Sequence, residues 1–581
     1  MEYLNARYLE RNSERFEYND IYPSPGTDIN DKRLLTLVST SLNQLELPCH
    51  SYLYVEGRLL KADGTPFTKV GNVYPDITLT NNFFPYLYSN ITYLIDGIPV
   101  EDLFDPGMCT TINTIITNPK PFNGLEMCWS IDTDDGRTDS QNSYIYYPIP
   151  TVTADNLPIT NTSPANYRTG VKGLANYFNA INPHIGLEIQ DTDLPAAADP
   201  ATRAEILTGM NNIIVNKLRP KVSNAPIELL ADEDIPAGDV AVASIRGAVN
   251  ALIKRINRDL ILKTIPSLTS KNNGFSSRKN LLFNPVGSIM DPADAGRFTF
   301  SIPLSHIFNF CNMFKYGIYG VKHELRLTRQ TDDFAIYKYG AATPLGMVKL
   351  DKLIWFMPRL TLNTDARLET KKLILENKTM IPVDFMGKCL HQHPVITGVN
   401  RQQFKYDMPN INSIRYVVLV VQVRDKTVCP TLQDFNHSII NDPYTARINS
   451  ADISCIKAKV GGKSFYIDSF TNNGAANNFA AQYYHEFKKL RVDYLNDYTE
   501  TDMISYSDFI NLYRLYCINV SCHEAFTTGT SSEVNLDVTF TRPLPAADQA
   551  ETGVYTVTYF DSEFELQSDG KRQFCKQKAY K

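Results

Sequence analysis

His391 and His393 lie two residues apart in GKCLHQHPV, a stretch that reads as a strand, and on a strand such a pair shares one face. Two imidazoles on one face can bind zinc, but a zinc site takes three or four protein ligands and the sequence places no third. Two packed structural histidines are the plainer reading. The string GGKS, Gly461 to Ser464, ends like a phosphate-binding loop. That motif requires a glycine where Lys457 stands and a helix after it, whereas KSFYI reads as a strand, so a hairpin turn is expected instead. The acidic run Asp132, Asp134, Asp135, Gly136 invites calcium, yet Ile131 and Thr133 occupy places where an EF-hand needs carboxylates. A solvated surface loop is expected there.

The histidines His306, His323, His437, His485 and His523 are isolated, and neither a GxSxG elbow nor an HExxH helix occurs. No catalytic, cofactor-binding or metal-ligating residue is therefore nominated, no cofactor is expected, and the chain is read as not an enzyme. Two basic patches remain. Lys571, Arg572, Lys576, Lys578 and Lys581 in the tail could contact a nucleic-acid backbone, since such contact is charge-driven and blind to sequence. A solvated terminus is the plainer alternative. The second patch, Arg246, Lys254, Arg255 and Arg258, reads as the exposed face of an amphipathic helix whose other face carries Ile245, Val249, Leu252, Ile256 and Leu260.

Bulk properties argue against a chain that coats nucleic acid over its whole surface. The 581 residues carry a net charge of −6, which does not supply a broad basic face. Tyr (33) and Phe (29) are heavily used while Trp (2) is rare, a bias toward sheet. The start, EYLNARYLERNSERFEYND, has no apolar core of a secretory signal, and the longest apolar run, Tyr416 to Val423, is far too short to span a membrane. Ten scattered cysteines with no CxxC pair read as reduced, mostly buried thiols.

The organising signal is an internal repeat. Arg297 to Arg329 runs FTFSIPLSHIFNFCNMFK and then YGIYGVKHELRLTR: a strand, a short helical stretch with Ile307, Phe308 and Met313, and a second strand. Met503 to Arg542 is expected to echo it, with Ile504 on a strand, Ser507 and Asp508 as caps, FINLYRLYC as helix and VNLDVTFTR as strand, closing on the same Thr-Arg pair. Upstream, SYLYVEGRLL pairs with IRYVVLVVQV, placing Tyr54-Val55 against Tyr416-Val417. The hairpin ITYLIDGIPVE around Gly97 pairs with ISCIKAKVGGKSFY around Gly461 and Gly462. The early matches are offset by roughly 365 residues and the later ones by roughly 205, so the first half carries an insertion of roughly 160 residues.

The expected order is then an N-terminal arm (1–30), loose or with a short helix; a first β-domain (31–362) with the insertion at about 118–297; a connector helix (363–377) capped near Asn363 or Thr364; a second β-domain (378–565); and a basic tail (566–581). Helices are expected from Asp105-Pro106, from Asp199-Pro200 through Ile206, Met210, Ile213 and Ile214, and from Asn477 or Asn478 with Phe479, Tyr483, Phe487, Leu490 and Tyr494 in one stripe. Many short strands, duplicated, with helices after set positions, give the fold class: mainly β, two tandem antiparallel jelly-roll β-sandwiches with a partly helical insertion in the first.

The order SYLYVEGRLLKADG, NNFFPYLYSNITYLIDG, FSIPLSHIFNF, IYGVKHELRLTR and LIWFMPRL resembles the double jelly-roll major capsid proteins of Polinton (Maverick) elements and related adenovirus-like viruses, over about Leu34 to Phe560. That resemblance implies a structural protein that self-assembles as a homotrimer of pseudo-hexagonal outline and tiles an icosahedral shell. It also implies a penton or minor capsid protein as partner, non-specific contact with packaged DNA, synthesis in the host cytosol, assembly in cytosol or nucleus, and a place in the virion. Three alternatives stay open: a scaffold of the same fold, a domesticated capsid-derived protein, and a carbohydrate-binding or hydrolytic β-sandwich protein.

Overall fold

The structure is a computed structural model that describes residues 4–24, 28–31, 34–40, 44–69, 74–117, 124–130, 203–218, 229–231, 273–283, 294–338, 345–376, 380–408, 413–425, 453–465, 481–495, 506, 509, 515–521, 532–540, 550–568 and 573–577. It divides into two compact units. One holds both sheet domains; the other takes in Arg137–Lys271, within the inserted segment, and Asn441–Asn449.

The first sandwich uses eight strands: β1 (Ser13–Ile21), β2 (Leu34–Thr40), β3 (Tyr52–Lys61), β4 (Tyr88–Ile95), β5 (Ile98–Phe104), β6 (Arg297–Pro303), β7 (Lys322–Arg329) and β8 (Gly346–Leu362). They form two antiparallel sheets in the orders β1-β8-β3-β6 and β2-β7-β4-β5, the former extended by two short strands, Leu45–Glu46 and Ile318–Tyr319. The second sandwich repeats this with β9 (Ile381–His393), β10 (Arg401–Met408), β11 (Ile414–Asp425), β12 (Ile453–Val460), β13 (Lys463–Phe465), β14 (Tyr516–Asn519), β15 (Ser532–Phe540) and β16 (Ala550–Ser568). Its sheets run β9-β16-β11-β14 and β10-β15-β12-β13. Each strand of the second set occupies the place of the strand eight earlier, which is the jelly-roll arrangement twice over.

Alternation drives the pairing of faces. Along β3, Leu53, Val55 and Leu59 point into the sandwich, while Tyr52, Tyr54 and Glu56 point outward and are half-buried. In β11 the run Tyr416 to Val421 is buried on both faces, so it reads as a continuous apolar segment. The hairpin between β12 and β13 turns at Gly461 and Gly462, with φ of 55° and 79°, and Val460 pairs with Lys463. Two central residues of positive φ are what a tight hairpin turn demands, so GGKS is a turn.

Helices follow the sheets at matching points. After β5 comes α3 (Pro106–Thr117), and after β13 comes α9 (Ala481–Leu495) with Tyr483, Phe487, Leu490 and Tyr494 buried in one stripe. Before α3 stand α1 (Ala6–Arg11) and α2 (Phe83–Tyr86). Between them come α4 (Arg203–Ile213), continued by a π-helical turn Ile214–Leu218; α5 (Asn273–Phe283); and α6 (Leu304–Ile307) with α7 (Asn309–Met313) directly after β6. The connector is α8 (Thr364–Lys371) and a π-helical turn Lys372–Glu376. Asn363 Oδ1 accepts the Ala366 N–H at 2.9 Å, the capping geometry expected at that position.

Three expectations are corrected. The N-terminal segment is no loose arm: α1 leads into β1, which pairs along β8 from Ser13↔Leu362 to Ile21↔Trp355. Its charged sequence hides a strand because β1 lies at the sheet edge and most of its side chains meet solvent. In FINLYRLYC the apolar run is not all helix: Phe509 is helical, but Tyr516 and Cys517 begin β14 and pair with Leu419 and Val418. The strand therefore follows the helical residues there, whereas β6 precedes α6 and α7. The tail, finally, contains a strand, β17 (Gln573–Gln577), paired with β16 from Phe564↔Gln577 to Ser568↔Gln573. The acidic run Asp132 to Gly136, the helix expected over 245–260, and Phe479, Ser507, Asp508, Thr541 and Arg542 lie outside the described residues.

Candidate functional site: the junction of the two jelly rolls

Where the two sandwiches meet, the described residues form a buried polar network. Glu101 enters it from β5, where a bulge opposite Tyr93 and Leu94 turns both Val100 and Glu101 inward. Its carboxylate accepts the backbone N–H groups of Asn309 (3.1 Å) and Phe310 (2.9 Å) at the start of α7. Lys388, from β9 of the second roll, donates to Ile307 O at 2.8 Å and Asn309 Oδ1 at 2.5 Å, and its Nζ stands 3.8 Å from Glu101. In return Asn309 Nδ2 donates to Met386 O at 2.7 Å. Tyr494 of α9 donates to Asn309 Oδ1 at 2.6 Å, Asn113 of α3 donates to the Tyr494 hydroxyl at 3.3 Å, and Tyr559 of β16 donates to Asn113 Oδ1 at 3.2 Å.

Every one of these six side chains is buried. Burial raises the Glu101 pKa, opposed by Lys388 and the two N–H groups, and burial pushes the Tyr494 and Tyr559 hydroxyls upward, so both phenols stay neutral donors. Apolar contacts surround the network: Phe310 meets Phe385 edge-on at 5.8 Å, and Phe385 stacks with Phe564 at 6.3 Å. A charge pair this dry holds position; removing one partner strands the other in the interior. A further tie comes from β17, where Gln573 Oε1 accepts the Tyr319 N–H of the first roll at 2.8 Å.

A second buried polar cluster sits inside the first roll. Glu46 accepts from Ser39 (2.7 Å) and Arg359 (3.1 Å) and lies 3.5 Å from His323 Nε2, whose Nδ1 is 2.9 Å from the Tyr93 hydroxyl. The order carboxylate, imidazole, phenol resembles a proton relay, but His323 and Tyr93 have no exposed surface, and burial lowers the His323 pKa. It is a packed core in which Glu46 Oε2 and His323 Nε2, 3.5 Å apart, make no hydrogen bond among the described residues. His323 stands isolated in the sequence because Glu46, Tyr93 and His323 are joined only by sheet pairing and by packing between sheets.

The other nominated groups are placed as follows. His391 and His393 share the inner face of β9 and both pack on the Tyr406 ring, while their polar contacts differ. His393 Nε2 meets Thr556 Oγ1 at 2.8 Å; His391 stacks on Tyr406 with ring centres 4.3 Å apart and touches Met408 Sδ at 3.2 Å and Cys389 Sγ at 3.6 Å. Among the described residues no group of three or more His, Cys, Asp or Glu side chains is arranged to hold a metal. Of the tail cations, Lys576 is exposed on β17 opposite Glu565, while Lys571, Arg572, Lys578 and Lys581 lie outside the described residues. No helix among the described residues is long and apolar enough to cross a membrane.

Comparison with solved structures finds similarity to a chain of the Sputnik virophage (8% identity, 97% of this chain and 89% of that chain covered, TM-score 0.46). It also finds the mavirus major capsid protein (9%, 97% and 90%, TM-score 0.41) and the Faustovirus major capsid protein (7%, 94% and 90%, TM-score 0.41). No curated protein matches the sequence. The family model described as the double jelly roll-like domain matches residues 255–561, more than half of the chain. With both rolls traced strand by strand and the family match spanning their junction, the chain belongs to the double jelly roll-like domain family.

Proposed function

We propose that this chain is a viral major capsid protein of the kind carried by Polinton elements and adenovirus-like viruses, a structural protein without catalytic function that works by burying surface between copies. The observation that supports this reading is the buried junction: Glu101, Asn309 and Lys388 link two rolls of the same topology. A chain that offers two comparable wedges in fixed relation can close a six-sided ring with three copies, and such rings tile among six neighbours. Packaged DNA is a non-specific partner that Lys576 and the other tail cations could meet, and a penton or minor capsid protein fills the five-fold positions of such a shell. The site of action is the virion. Electron microscopy of the purified protein tests this: hexagonal trimers that build closed shells support it, trimers or lattices without shells favour the scaffold alternative, and monomers with a glycan bound favour the carbohydrate-binding one.

A further inference from the structure

A thiol, an imidazole and a thioether converge on one point between the two sheets of the second roll. Cys389 and His391 stand two residues apart on β9 and so share its inner face, while Met408 ends β10 in the opposite sheet. His391 Nε2 lies 3.2 Å from Met408 Sδ, Met408 Sδ lies 3.4 Å from Cys389 Sγ, and Cys389 Sγ lies 3.6 Å from His391 Nε2. The point equidistant from these three atoms is about 2.0 Å from each, close to the bonds of about 2.0–2.1 Å to nitrogen and about 2.3 Å to sulfur that a zinc-sized ion takes. An ion seated just off the plane of the three donors would need little movement of either strand.

The surroundings hold these donors in place. His391 stacks on Tyr406 with ring centres 4.3 Å apart, and the Tyr406 hydroxyl is fixed 2.7 Å from Thr558 Oγ1, an outer layer of the kind that orients metal ligands. Among the described strands β9 and β10 are the outermost of their sheets. Cys389 and His391 are half-buried there and Met408 is buried, so the donors can be reached from the side of the sandwich. Burial lowers the His391 pKa, which keeps the imidazole neutral, and raises that of the Cys389 thiol. The single S–H proton can serve only one of its two neighbours, and the remaining lone pairs face one another. His393, the other histidine of the pair, stays outside this group with its Nε2 on Thr556.

We propose that Cys389, His391 and Met408 form a binding site for a soft monovalent ion, Cu(I), which clips the edge of one sheet to the edge of the other. Two sulfur donors, one of them a thioether, select Cu(I) over harder ions, and imidazole suits it as a third ligand. Charge points the same way: Cu(I) and a thiolate sum to zero, whereas a divalent ion would leave a net positive charge in a largely apolar interior. Among the described residues no carboxylate lies close enough to shift the pKa of Cys389 or His391. On binding, bonds form from the ion to Sγ, Nε2 and Sδ, the S–H bond breaks and its proton leaves to solvent, with no change of oxidation state. An ion held only by the folded chain stabilises it by mass action, whether or not copies of the chain associate.

The test uses the full chain, purified with a reductant. Cu(I), supplied as its acetonitrile complex and competed against a chromophoric Cu(I) chelator, is titrated into the unaltered protein, Cys389→Ser, Met408→Leu and Cys455→Ser, with Zn(II) titrated in parallel. Cys455, half-buried on β12, controls for thiols in general, and Met408→Leu conserves volume, so its metal-free melting is expected to stay unchanged. X-ray absorption at the copper edge counts the neighbours of the bound ion. The expected result is a site of two sulfurs and one nitrogen whose affinity falls about tenfold in Met408→Leu and about a hundredfold in Cys389→Ser, and is unchanged in Cys455→Ser. Cu(I) should also raise the melting temperature of the unaltered protein more than that of Met408→Leu. Equal binding by Cys389→Ser, or a shell of sulfurs without nitrogen, shows adventitious thiol binding only and overturns the site. Zn(II) held more tightly than Cu(I), with the same dependence on Cys389, overturns the ion assigned to it.

Discussion

The ammonium group of Lys388 in the second jelly roll stands 3.8 Å from the carboxylate of Glu101 in the first, and neither side chain reaches solvent. Asn309 is shared between them, through its backbone N–H to Glu101 and its side-chain oxygen to Lys388. Truncating one member leaves the other charged and unpaired. Lys388→Ala is therefore expected to cost about 3–5 kcal/mol, and Lys388→Met combined with Glu101→Gln to cost less than the two single changes together. Denaturant midpoints of the four proteins measure this coupling; strict additivity would show that the pair does not act across the junction.

His393 supplies a pH test. Burial, aided by the neighbouring His391, lowers its pKa to about 4, from an ordinary value near 6.5. Below pH ~6.5 the unfolded chain takes up a proton that the folded chain refuses, so the stability this histidine contributes is present above that pH and lost as pH falls toward 4. The loss is on the order of 2–3 kcal/mol. Thermal melting between pH 7 and 4 should show a shallower decline in His393→Gln, which keeps a polar partner for Thr556, than in the unaltered protein.

The Gly461-Gly462 turn separates a hairpin from a phosphate loop. Both glycines have positive φ, so Gly462→Val is expected to lose about 1–2 kcal/mol, whereas Gly461→Asn, a residue that tolerates this region, is expected to be close to neutral. Calorimetric titration with a nucleoside triphosphate should give no heat of binding at this turn, since β13 follows it and no helix terminus is there to hold phosphate.

Ending the chain after Ser568 removes β17, and with it the hydrogen bond that Tyr319 N–H donates to Gln573 and the buried Cys575. A loss of about 2 kcal/mol and faster proteolysis at the junction are expected, because β17 ties the second roll's sheet to the first roll. Lys576→Gln should change stability by less than about 0.5 kcal/mol, as suits an exposed charge. Limited proteolysis and melting distinguish a tail that serves the fold from one that only carries charge.

Much of this architecture is legible in the sequence because sheet periodicity is local. Leu53, Val55 and Leu59 against Tyr52, Tyr54 and Glu56 announce β3, and the stripe Tyr483, Phe487, Leu490, Tyr494 announces α9. What failed to show depends on position within the sheet. β1 reads as a polar arm because an edge strand needs little alternation, and Tyr516-Cys517 reads as helix because a short apolar run fits either period. The junction was hidden for a different reason. Glu101, Asn309 and Lys388 are far apart in the chain, and only the packing of one roll on the other makes an acid, an amide and a base into one network.

Whether a chain that folds the same roll twice closes around a ring with its copies is read from the mass of the purified protein at micromolar concentration. A species of three times the 65.6 kDa chain is expected. A single species of one chain's mass under those conditions would contradict it.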